Sequence, residues 1–192
     1  FPDMAPRNFG TGWDGTGGSA SNNCWGDAPV VIAWNLYTQY GEKGILEGNY
    51  DALCKWVDML VSTSDNYVRT WGGYGDHLAF EDTPSDLSDT AWCAHSADLL
   101  SRMAKALGKE EDAVRYREIY ENFKQAWQNQ YVLPDGQTSC NTQTSYALGL
   151  AFSLFPEELK EAAAGHLRTL AEYGGYHIKT GYSGIGCLLT AL

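Results

Sequence analysis

The sequence predicts an all-α protein built from consecutive helical hairpins, arranged as a ring or a solenoid. Two observations carry that expectation. Helical segments without any charge alternate along the chain with amphipathic ones, and short connections alternate with long ones. A charge-free helix is suited to an interior and a striped one to a surface, so the alternation describes an inner layer shielded by an outer layer.

In chain order, the first segment (roughly 28–40), the fifth (roughly 142–155) and the seventh (roughly 184–192) contain no Asp, Glu, Lys or Arg. The third, roughly 88–107, confines its charges to Asp89, Asp98, Arg102 and Lys105. These four read as interior helices. The second segment places Leu46, Tyr50, Leu53, Val57 and Leu60 on one stripe. The fourth does so with Ala113, Tyr116, Tyr120, Phe123 and Trp127, and the sixth with Leu159, Ala163, Leu167 and Leu170. Spacings of three and four mark these as surface helices. Pro156 followed by Glu157 and Glu158 is a helix start, because proline suits the first turn and acidic groups favour the positive end of the dipole.

Inner-to-outer turns are tight ("GEKG", "GKE", "FPEE"), whereas the outer-to-inner connections are long: residues 1–27, about 63–87, about 130–141 and 174–183. An antiparallel ring brings every long connection to one rim, at the amino-terminal ends of the inner helices. Long loops in a compact fold usually carry function. The rim inventory is polar and aromatic: Trp13, Asp14, Trp25, Asp27, Trp71, Tyr74, Asp76, His77, Glu81, Asp82, Asp89, Asn141, Gln143, Tyr176, His177 and Tyr182. Aromatic faces beside carboxylates and amides suit a sugar, which has one apolar face to stack and hydroxyls to bond.

Each residue also has a plainer reading. Asp27 is either the N-cap of the first helix or a group aimed at a ligand, and Trp25 either plugs the core or stacks on a ring. Asp76 either closes its own turn or binds. Ser88 and Asp89 read as caps first. Capping explains Asn141 but not Gln143, and His177 is equally a satisfied core group or a contact.

Composition narrows the function. Seven tryptophans and 13% aromatic residues suit flat apolar ligands, while a net charge of -11 and the lack of a basic patch exclude nucleic acid and anionic membranes as expected partners. The five cysteines are odd in number and form no CxxC pair, so neither a disulfide framework nor a zinc site is expected. Cys93 and His95 are read as core packing. No metal or cofactor is expected. No apolar run reaches about 20 residues and no signal peptide is visible. A start at Phe1 and a stop at "GCLLTAL" in mid-pattern read as a piece of a longer protein, with its compartment, cytoplasmic or periplasmic, left open.

The segments "FPDMAP", "CWGDAPVVIAWNLYTQYGEKGILEGNYDALCKWVDML", "YGDHLAFEDTP", "TAWCAHSADLLSRMAKALGKEEDAVRY", "NTQTSYALGLAFSLFPEEL" and "YHIKTGYSG" stand in an order and spacing that resemble the catalytic domain of bacterial α-L-rhamnosidases of glycoside hydrolase family 78. The resemblance spans essentially the whole chain. It implies an (α/α)6 barrel, of which residues 1–192 supply about three and a half of the six hairpins as a fragment of one catalytic domain. It also implies inverting hydrolysis that releases terminal α-L-rhamnose, using an acid and a base roughly 6.5 to 9.5 Å apart. The family's motifs for both carboxylates are missing from this sequence, so the catalytic pair is expected outside it and the chain alone is expected to be inactive. Its expected partners are a rhamnose-containing glycoside and the remainder of its own domain.

Carried over residue by residue, the resemblance places Trp25 and Asp27 in the "WGDA" motif lining the sugar subsite, and Asp76 in the "GD" pair. His77 stands where the family has a stacking tryptophan. Asn141 replaces an aspartate, Gln143 and Thr144 are retained, and "SGIGCL" departs from the usual continuation. The expected substrate-binding set is therefore Trp25, Asp27, Asp76, His77, Asn141, Gln143 and His177. The rival expectations are a non-catalytic hairpin module that binds carbohydrate or protein, and a different six-hairpin glycosidase using Asp27, Asp76 or Asp82 as acid or base.

Overall fold

A computed structural model describes residues 22–70 and 73–191. The positions Trp13, Asp14 and Trp71 and the segment "FPDMAP" lie outside the described residues. The helices are α1 (Ala28–Tyr40), α2 (Gly44–Ser62), α3 (Ser85–Ala106), α4 (Glu110–Tyr131), α5 (Gln143–Ala151), α6 (Lys160–Tyr173, entered through a 3-10 turn at Glu157–Leu159) and α7 (Ile185–Ala191). Among the described residues there is no β-strand, only isolated bridges at Asp65–Val68 and Val132–Thr138.

The packing follows the expected two layers. The inner helices neighbour one another in chain order, α1 on α3, α3 on α5 and α5 on α7, while α4 packs on α3, α6 on α5, and α2 on α1 and α3. Helix α3 is the central stave and is buried along most of its length, from Leu87 to Ala104. Its Asp98 is tolerated because Arg102 and Arg117 both reach it, at 2.7 and 3.0 Å. The core between the layers is aromatic: Trp127 lies edge-on to Phe155 at 5.3 Å and donates its indole N–H to the Leu87 carbonyl at 3.2 Å.

Three boundaries differ from the sequence reading. Helix α3 begins at Ser85, so Ser88 and Asp89 sit inside its first turns and are not caps; the Ser88 hydroxyl instead bonds the Ser85 carbonyl at 3.0 Å. The N-cap of α5 is Thr142, which forms a reciprocal capping box with Ser145, displacing the expected Asn141. Helix α5 also stops at Ala151 rather than near 155. There Ser153 adopts φ 57°, with Ser153 N–H on Leu150 O and Leu154 N–H on Gly149 O, a Schellman closure built on serine instead of glycine.

The charge-free α1 is less buried than its composition predicts. Val30 and Ala33 are buried, but Ile32 and Tyr40 are exposed, as are Ile185 and Leu189 on α7. Among the described residues, each of these helices has an inner helix packed on one side, α3 on α1 and α5 on α7.

Gly149 is a tight point of the core. A Cβ there would lie 2.4 Å from a Phe155 ring carbon and 2.7 Å from Trp127. Helix propensity favours alanine over glycine by about 1 kcal/mol, whereas overpacking costs about 1–3 kcal/mol. Gly149→Ala is accordingly expected to lower the chemical-denaturation midpoint. A raised midpoint would show that the core yields at this position.

Candidate functional site

The described parts of the long loops meet on one rim, and buried polar side chains hold them together. Asp27 follows a turn in which Cys24 adopts φ 69°. Its side chain does not cap α1. It turns inward, fully buried, and accepts four hydrogen bonds: Trp56 Nε1 and Ser96 Oγ on Oδ1, both at 2.7 Å, and Cys24 N–H at 2.7 Å with Asn23 Nδ2 at 3.3 Å on Oδ2. Asn23 in turn accepts from Arg69 Nε at 3.1 Å, and Arg69, also fully buried, donates to the Thr63 carbonyl at 3.2 Å. Burial pushes the Asp27 carboxyl above its ordinary range, against the pull of those four donors.

Asp76 is likewise turned into the protein. Oδ1 accepts from Ser183 N–H (3.1 Å), Ser183 Oγ (2.9 Å) and Gly184 N–H (3.3 Å), and Oδ2 from Gly181 N–H (2.8 Å) and the Thr144 hydroxyl. Gln143 is buried, and its amide treats the 177–179 backbone as a strand partner, donating to His177 O at 3.1 Å and accepting from Lys179 N–H at 3.0 Å. Glu81 joins the same seam by accepting Gln143 N–H at 2.8 Å and pairing with Lys179 Nζ at 3.1 Å. Three of the seven expected sugar contacts, Asp27, Asp76 and Gln143, therefore spend their polar atoms on protein partners.

What the rim presents outward is aromatic. Trp25 is half-buried and stacks on Tyr182, with centroids 4.7 Å apart and planes 23° from parallel. Tyr74 and His77 meet Trp25 edge-on, at 5.1 and 6.0 Å. Tyr74 is 51% and Tyr182 58% exposed, so the cluster is a platform and not a core plug. His77 joins this platform; His177 and Asn141 are exposed. The Asn141 amide oxygen accepts from the Tyr146 hydroxyl at 2.7 Å. Tyr74 and Tyr182 stood in the rim inventory without being singled out. Tyr182 had one sequence signal, its position beside Gly181 in a loop leading to an uncharged helix.

Asp89 is a further buried acid, 2% exposed. Burial first, then the neighbouring Asp27, push its carboxyl up to about 8, and Arg69 only partly offsets them. Cys93 takes a 3.3 Å contact from Asn23 Nδ2, while His95 stacks on Phe152 at 3.9 Å and is lowered to about 4, by burial first and then by Arg102. Both pack in the core. Among the described residues no cluster of three or more His, Cys, Asp or Glu side chains could hold a metal ion.

With this geometry in view, comparison with known proteins decides the family. The model of the bacterial alpha-L-rhamnosidase six-hairpin glycosidase domain matches residues 1–192. The chain belongs to that family. An alpha-L-rhamnosidase of Streptomyces avermitilis is 40% identical over 195 residues, covering all of this chain and 18% of the relative, and one of Formosa agariphila is 35% identical over 88% of this chain and 19% of the relative. The crystal structure of the Streptomyces avermitilis enzyme complexed with L-rhamnose superposes with a TM-score of 0.89 at 38% identity, again over the whole chain and 18% of its own length. The rhamnosidase-family chain thus spans about a fifth of the relatives it matches, and its row of hairpins belongs to the six-hairpin glycosidase fold.

The raised Asp89 carboxyl makes a pH prediction. A group whose folded pKa exceeds its unfolded value favours the fold at low pH, and that advantage is lost as pH rises from the ordinary aspartate range through about 8. Asparagine cannot ionise. Asp89→Asn should therefore gain thermal stability over the wild type progressively between pH 5 and pH 9, as read by melting curves. A pH-independent difference would count against a protonated Asp89.

Proposed function

We propose that this chain is part of an inverting α-L-rhamnosidase, with residues 1–192 forming a section of one (α/α)6 catalytic domain. Its rim would hold the terminal α-L-rhamnose. The observation that carries this reading is the exposed Trp25–Tyr182 stack flanked by Tyr74 and His77, on a chain of a rhamnosidase family. A pyranose lays its C–H face on such rings, and burying that apolar area contributes binding energy. The L-rhamnose in the Streptomyces avermitilis crystal supports the choice of sugar.

In this reading Trp25, Tyr182, Tyr74 and His77 touch the substrate, with Asn141 and His177 at its edge. Asp27, Asp76 and Gln143 support them from behind. The engagement of every carboxylate oxygen of Asp27 and Asp76 argues against either as acid or base, since proton transfer needs an oxygen within reach of the substrate. The acid and base are assigned to the part of the enzyme outside this chain. His77, smaller than the family's tryptophan and ionisable, narrows the stacking surface and adds a hydrogen-bonding edge.

The same engagement favours, as a second reading, a rim that binds sugar without hydrolysing it. Kinetics of the full-length protein with an aryl α-L-rhamnoside separate the two. Trp25→Ala is expected to raise KM about 10- to 100-fold, the loss typical of truncating a central aromatic contact, while residues 1–192 alone give no turnover. An unchanged KM, or turnover by the isolated chain at the full-length rate, overturns the proposal. Rhamnose binding by the full-length protein without any hydrolysis selects the second reading.

A further inference from the structure

Asp76 immediately precedes His77 of the platform, is 9% exposed, and accepts five hydrogen bonds against the four on Asp27. The donors come from two directions. Thr144 reaches it from the first turn of α5, while Gly181, Ser183 and Gly184 reach it from the turn that enters α7. Tyr182 is the residue between them. Its own N–H bonds the His77 carbonyl at 2.8 Å, so three successive amides, those of residues 181, 182 and 183, are anchored on Asp76 and His77. A carboxylate ringed by backbone amides is a charge-assisted clamp, stronger and more directional than neutral bonds would be.

The surrounding packing lets this clamp close. A Cβ on Gly181 would lie 2.4 Å from His77 O and 2.6 Å from Asp76 O, and one on Gly184 would lie 2.8 Å from Thr144 Cγ2. The two backbones therefore approach to a distance that only glycine permits. One step further out, Phe80 N–H bonds Lys179 O at 2.9 Å, continuing the seam between the two loops.

We propose that Asp76 is the positioning residue of the sugar platform: through the Gly181–Gly184 turn it sets the Tyr182 ring parallel to Trp25, and so controls substrate affinity without touching substrate. This rests on the reading of the platform as a sugar site. It accounts for a rim aspartate whose two oxygens both accept hydrogen bonds, and for a tyrosine stacked on Trp25 while more than half exposed.

Asp76→Asn keeps the size of the side chain but turns an amide N–H₂ toward donors that need an acceptor. In the full-length enzyme with an aryl α-L-rhamnoside, Asp76→Asn should raise KM about 10-fold with kcat changed less than about 3-fold, matching Tyr182→Ala. In a Tyr182→Ala background the same substitution should add less than about 2-fold, because both changes remove one interaction. Ser183→Ala, which deletes only the Oγ bond, should raise KM about 2- to 3-fold, and it decides the matter if Asp76→Asn does not fold. A crystal structure of either variant should show the Trp25–Tyr182 centroid separation grown beyond 4.7 Å. Full multiplication of the Asp76→Asn and Tyr182→Ala effects, or an undisturbed stack in the variant that folds, overturns the inference. An unchanged KM in Trp25→Ala, with Tyr182 displaced in Asp76→Asn, would sink the sugar-site reading and leave the clamp standing.

Discussion

The structure of the rim depends on one buried carboxyl group. Asp27 places a carboxylate at full burial, an arrangement that costs several kcal/mol unless each oxygen is paired, and it is paired by a loop amide, two side chains of the inner and outer helices and the Asn23 amide. That single group therefore ties the 22–27 turn to α2 through Trp56 and to α3 through Ser96. Gly26 completes the join, since a Cβ there would sit 2.2 Å from the Trp56 ring. Trp25, between these anchors, projects from a turn that cannot swing without exposing unpaired donors in the interior.

The same device recurs around the rim. Loops that form no strands are joined by side chains standing in for backbone: Asp76 receives the 181–184 turn, Gln143 pairs with residues 177 and 179, and Glu81 receives the first amide of α5. Non-glycine residues at positive φ gather here as well, at Cys24, Leu78, Asn141 and Tyr176. Each such position costs free energy and persists because its surroundings over-determine it. What emerges is a base of extensively hydrogen-bonded carboxylate and amide side chains under a mostly aromatic surface.

Much of the layered architecture was legible in the sequence because hydropathy reports burial directly. The stripes of α2, α4 and α6 and the long α3 all follow from spacing alone. The misread polar residues share one cause, the competition between local and distant partners. Asp27 has the identity of an N-cap and the position of one, but Trp56 and Ser96, 29 and 69 residues away, offer its carboxylate better bonds than its own helix does. Asn141 loses the cap of α5 to Thr142 because Ser145 reciprocates. Gln143 had no local explanation, and the reason is a loop more than 30 residues later in the chain.

The sequence by itself determined the helical-hairpin class, the placement of the long loops on one side, and the family, because these depend on periodicity, loop length and motif order. Tertiary structure alone decided which rim residues face outward. Trp25, Tyr74, His77 and Tyr182 form the platform, whereas Asp27, Asp76 and Gln143 turn inward. The physical reason is that a polar side chain goes to the partner that best offsets its loss of water, and that partner can lie 100 residues away, as Ser183 does from Asp76. No local pattern records that choice.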